Sequence, residues 1–104
     1  MNKQELFARI DQMKDELFSM ACDIFDHPES DGKEYYAADL LINYLTDCGF
    51  SVEKGVGALE TAFRAVWKNG EGGPNIGFLG EYDAVREVGH VCGHHLQTPA
   101  AIGA

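Results

Sequence analysis

From Leu6 to Ile24 the apolar residues Leu6, Ile10, Met13, Leu17, Met20 and Ile24 recur at alternating steps of three and four, the spacing that lines one face of an α-helix. Lys3, Asp11, Lys14 and Asp15 fall mostly on the opposite face. The stretch from Asn2 to about Phe25 is therefore predicted to be one amphipathic helix with an apolar stripe to be covered. His27-Pro28 ends it, because the residue before a proline is pushed out of the α region.

Asp31-Gly32 opens a second predicted helix, from roughly Lys33 to Cys48, with Tyr36, Leu40 and Tyr44 and the nearby Leu41 and Leu45 as its apolar face and Gly49 as its stop. Phe50 to Lys54 and the alternating stretch Thr61 to Lys68 read as short strands, the second closed by the turn cluster Asn69 to Pro74. Asn75 to Gly80 reads as a third strand. Pro99 suits the first turn of a last helix, and Ala100 to Ala104 read as part of a buried one. The aromatic residues fall at helical or strand spacing, which predicts core packing and no aromatic cage.

A chain of 104 residues fits a single domain, and one of this size buries only about two-thirds of the surface its unfolded chain exposes, so the core is small. No repeat or linker divides it, and residues 1–104 are read as one α/β unit: two N-terminal helices followed by strands.

Seventeen acidic against eight basic residues give a formal net charge of −9. Such a surface repels phosphate backbones, which argues against nucleic acid and anionic membranes and favours cationic partners, metals included. No apolar run approaches the roughly 18 residues of a membrane span, and the N-terminus lacks the apolar region of a signal peptide, so a cytoplasmic location is expected. Cys22, Cys48 and Cys92 are an odd number in such a chain, so a disulfide framework is not expected. Cys22 and Cys48 sit on predicted helices among apolar residues and read as inert, core or half-buried positions.

Between Glu81 and His95, fifteen residues hold Glu81, Asp83, Glu87, His90, Cys92, His94 and His95. Thiolate and imidazole suit zinc, and a carboxylate can ligate or orient a ligand. Gly89 and Gly93 free the backbone to turn, so that Cys92 and His94 can converge on one point. The cluster follows the carboxyl end of a predicted central strand, where open α/β sheets place their ligands. A metal bound there competes with protons and weakens as pH falls. Spacing alone leaves other readings open. Cys92 can be a small buried hydrophobe, His90 and His95 solvated loop residues or groups behind the ligands, Glu81 and Glu87 solvated or supporting carboxylates, and His27 a helix-ending residue.

The motifs Gly-Glu-Tyr-Asp-Ala (Gly80 to Ala84), Gly-His-Val-Cys-Gly-His-His-Leu (Gly89 to Leu96) and Ala-Ala-Ile-Gly-Ala, with Phe-Asp-His-Pro-Glu at Phe25 to Glu29, resemble the amidohydrolase branch of the dinuclear-zinc exopeptidases. That branch includes aminobenzoyl-glutamate, N-acyl-amino-acid and auxin-conjugate hydrolases. The resemblance implies part of a three-layer helix, mixed-sheet, helix catalytic domain, with Cys92 and His94 as metal ligands and Asp83 orienting a ligand. It implies two divalent ions, zinc or manganese, that polarise a scissile amide and activate a bridging water. The implied substrate is a small N-acyl amino acid or peptide, and a homo-oligomer is compatible.

The same resemblance places the general-base glutamate and further ligands beyond the motifs present here, so this chain alone is expected to be inactive and need not hold metal. Relatives usually carry proline where Arg86 stands and Asp or Asn where His95 stands, which leaves the ligands intact but puts substrate details in doubt. The rival expectation is a stand-alone, non-catalytic structural or partner-binding protein descended from the family. A two-ligand site completed across a symmetric dimer is a third.

Overall fold

The side chain of Asn2 accepts a hydrogen bond from the Glu5 amide, and the Glu5 carboxylate accepts one from the Asn2 amide, both at 2.9 Å. This reciprocal cap satisfies two donors that a helix start leaves orphaned. It opens α1 (Lys3–Asp26) in a computed structural model that describes all residues, 1–104. His27 closes the helix, as its position before Pro28 predicts.

The second helix, α2 (Tyr35–Asp47), is capped from a distance. Its N-cap residue, Glu34, makes no side-chain cap. Instead the Glu29 carboxylate accepts from the Tyr36 and Ala37 amides, each at 2.9 Å, and places a negative charge at the positive end of the helix dipole. Glu34 is buried and accepts from the Gly32 amide at 3.0 Å and the Thr61 hydroxyl at 2.9 Å. At the other end Gly49 adopts φ 94°, and the Phe50 amide reaches back to the Leu45 carbonyl at 3.0 Å; a left-handed residue after the last turn is glycine's usual role.

Two short strands follow, β1 (Ser51–Lys54) and β2 (Phe63–Val66), paired antiparallel with Ser51 opposite Val66 and Lys54 opposite Phe63. The chain ends in α3 (His94–Gly103), which lies against α1. Met20, Ile24, Ala37 and Leu41 form the core between α1 and α2, edged by Leu17, Leu40, Tyr44, Phe63, Tyr82 and Ile102. Ile24 and Leu41 are fully enclosed, and each such burial stabilises by about 1.5 to 3 kcal/mol. The molecule measures 44 × 30 × 21 Å, because the first turns of α1 project beyond this core.

The architecture is the α/β arrangement expected, with two helices before the strands, but several details differ. Asn75 to Gly80 forms no strand: a strand exists through its ladder, and no other segment pairs with this one. The buried face of α2 is Ala37, Ala38, Leu41 and Leu45, while Tyr36 is exposed; the alanines let α2 approach α1 closely, and Tyr36 instead donates from its hydroxyl to Asp23 at 2.8 Å. Phe7, Phe18, Phe25, Trp67 and Phe78 are exposed rather than packed, since so small a core cannot enclose them. Cys22 and Cys48 are exposed as well. Pro99 is the sixth residue of α3, not in its first turn, and Ala100 to Ala104 are exposed or half-buried. No helix is long and apolar enough to cross a membrane.

Truncating Leu41 to alanine is expected to lower the unfolding free energy by about 3 kcal/mol, and truncating the half-buried Leu40 by less than half of that, as read from urea denaturation. The reverse order would contradict the assigned face of α2.

Candidate metal centre

The segment before the histidine-rich loop is fastened directly to α3. A Cβ on Gly80 would stand 2.6 Å from the Thr98 hydroxyl oxygen and 3.0 Å from the Thr98 Cα, so only glycine allows this approach. One residue on, the Glu81 carbonyl accepts from the Thr98 hydroxyl at 3.2 Å, and the Glu81 amide donates to the Gln97 side chain at 3.2 Å. The Ala84 amide then donates to the Glu29 carbonyl at 2.7 Å. Glu81 to Ala84 thus bridges α3 and the turn that caps α2.

Gly93, at φ 81°, turns the chain into α3 and makes His94 the first helical residue. There the His94 Nδ1 lies 2.6 Å from the Asp83 carboxylate, and its Nε2 lies 3.5 Å from the Glu81 carboxylate. One donor atom from each of Glu81, Asp83 and His94 falls within 4.8 Å of the others. An ionised carboxylate only accepts, so the neutral imidazole carries its proton on Nδ1 and turns the bare Nε2 lone pair toward Glu81. Two ligands of one zinc-class ion, bonded at about 2.0 to 2.2 Å and set at a tetrahedral angle, lie roughly 3.4 Å apart. The spacing of Nε2 and the Glu81 oxygen fits that donor pair.

The Asp83 hydrogen bond is the chief cause that raises the His94 pKa above its ordinary value; the charges of Asp83 and Glu81 add to it and burial opposes it. A pKa raised by folding contributes stability that is fully present below the unfolded value and is lost as pH rises through the folded one.

The structure brings together two of the three residues singled out in the sequence, Asp83 and His94, and adds Glu81. Glu81 and Asp83 are two apart in a segment without helix, and alternation in extended chain puts such residues on one side, a signal present in the sequence. Cys92 is exposed and outside this trio, separated from His94 by Gly93. Glu87 lies in the exposed turn between the bridged residues Val85 and Gly89.

His27 has the structural place expected of it: its ring stacks on Tyr36 with centroids 3.8 Å apart, and its Nδ1 lies 2.8 Å from the Asp23 carbonyl. His90 is not a solvated loop residue. It is 8% exposed, and neither of its ring nitrogens has a hydrogen-bond partner. Burial, followed by the neighbouring His95, lowers its pKa. His95 is half-buried with its Nδ1 equally unpartnered. Each orphaned buried polar atom costs about 1 to 3 kcal/mol.

No family model matches the chain. Among curated proteins it is 34% identical to one of the subunits of the p-aminobenzoyl-glutamate hydrolase of Escherichia coli (strain K12), over 97% of this chain and 25% of that one. It is 33% identical to the Xaa-Arg dipeptidase of Mus musculus, over 98% and 26% of the respective chains. To the Xaa-Arg dipeptidase of Homo sapiens it is 31% identical, over 84% and 22%. The chain therefore spans about a quarter of the length of these relatives.

Followed by NMR, the His94 ring is expected to titrate above the ordinary histidine value of about 6.5, and Asp83→Asn to bring it down toward that value. A His94 titration that Asp83→Asn leaves unmoved would remove the hydrogen bond from the account.

Proposed function

Since this chain belongs by sequence to the amidohydrolase and dipeptidase family of those relatives, we propose that it carries part of a divalent-metal site for hydrolysing the amide bond of a small amino-acid conjugate or dipeptide. The observation that carries this reading is the juxtaposition of the Asp83-bonded His94 with the Glu81 carboxylate. In it, His94 offers Nε2 as a ligand, Asp83 fixes the ring, and Glu81 supplies a second donor. Cys92, exposed and two residues before His94, would be the further ligand. A thiolate and an imidazole favour zinc, and a site with more carboxylates favours manganese.

When bound, such an ion polarises the amide carbonyl and acidifies a water. The chain's own residues hold and orient, and none is placed as a general base. The 104-residue chain alone is accordingly read as a metal-binding but non-hydrolysing unit. The rival reading, a partner-binding protein without catalysis, has its own support in the exposed apolar residues Phe18, Ile76, Phe78, Leu79 and Leu96.

Dialysed against zinc at neutral pH, the purified chain is expected to retain metal. Asp83→Asn is expected to weaken retention roughly 10- to 100-fold, the usual effect of losing a ligand's orienting partner. Zinc or manganese added with p-aminobenzoyl-glutamate or a dipeptide ending in arginine is expected to give no turnover above the protein-free rate. Metal affinity indifferent to Asp83, Cys92 and His94 substitutions would rule out the proposed site, and turnover by this chain would rule out its reading as non-hydrolysing.

A further inference from the structure

Against the end of α1, His90 and His95 face each other with ring centroids 5.2 Å apart and planes inclined at 57°. Phe25 borders both, with its centroid 6.3 Å from His90 and 5.1 Å from His95. Both ring nitrogens of His90 and the Nδ1 of His95 are buried without a hydrogen-bond partner, and His90 is 8% exposed. Buried polar side chains are rarely left this way.

Packing alone does not account for the pair, since an apolar side chain in either place fills space without stranding polar atoms. An anion does not fit, because it calls for two protonated rings side by side, and like charges at that distance repel. A cation that accepts lone pairs from two neutral imidazoles satisfies both. Two imidazoles bonded to one ion at about 2.0 to 2.1 Å and a tetrahedral angle have ring centroids roughly 5 Å apart, close to the separation seen.

We propose that His90 and His95 form a two-imidazole site for a borderline divalent cation of the zinc class, bordered by Phe25 and built from donors other than those of Glu81, Asp83 and His94. Water completes the coordination. The site stands on its own donors and does not depend on the hydrolase reading.

The test uses the full chain carrying Glu81→Gln and His94→Gln, which removes donors of the first group. Zinc retention is measured by equilibrium dialysis, and cobalt(II) substitution is followed by its visible absorption. The expected result is one retained zinc per chain, with affinity falling roughly tenfold or more when His95→Asn is added and further with His90→Asn. Circular dichroism shows whether each variant stays folded. If His90→Asn unfolds the chain, the half-exposed His95→Asn decides alone. No zinc retained by the Glu81/His94 variant, or zinc retained equally with His95 replaced, overturns the proposal. Loss of zinc caused only by the Glu81 and His94 substitutions leaves the hydrolase reading standing without this site.

Discussion

Met20, Ala21 and Ile24 are the buried positions of α1, and they all fall in its last two turns. Here the helix meets α2 through Ala37 and Leu41 and carries α3 along the same flank. A core of so few side chains has no redundancy, so the placement of Glu81, Asp83 and His94 depends on this packing. Glycine makes the next link: Gly80 lets an extended segment touch Thr98, and that contact brings the Glu81 and Asp83 carboxylates to the start of α3, where His94 stands.

Charge gives this arrangement its chemical direction. Glu81 and Asp83 lie on either side of one imidazole, one at each ring nitrogen, within a chain of net charge −9. A protonated His94 neutralises part of that local excess, and a divalent cation can do so more fully. The same electrostatics that hold Glu81, Asp83 and His94 together attract a cation to them. Hydrogen bonding of a carboxylate to the far nitrogen also raises the basicity of the near one, which is how supporting residues tune a ligand.

Much of this was readable in the residues. The three-and-four spacing from Leu6 to Ile24 located α1, His27-Pro28 its end, and Gly49 the end of α2, because each is a local backbone effect. The density of titratable groups from Glu81 to His95 marked the segment that holds Glu81, Asp83 and His94. What failed was nonlocal. Asn75 to Gly80 has the composition of a strand but no neighbour to pair with. The face of α2 turned toward Ala37 and Ala38 because close helix approach outweighed the larger tyrosine. Phe18 and Phe78 lie in solvent because nothing in the chain covers them. Glu81 reads in the sequence as a solvated or supporting carboxylate, although its alternation with Asp83 puts both carboxylates on one side. His90 is buried by a nonlocal contact, with Phe25 at the end of α1 beside it.

The hydrogen bond to Asp83 fixes His94 as the tautomer protonated on Nδ1 and leaves Nε2 bare beside Glu81. The most direct measurement is the nitrogen-15 spectrum of the His94 ring in the metal-free chain, recorded above its pKa, where the two nitrogens of a neutral imidazole are distinguished. A protonated Nδ1 and an unprotonated Nε2 are expected; the opposite tautomer, with the proton on Nε2, would contradict the hydrogen bond to Asp83.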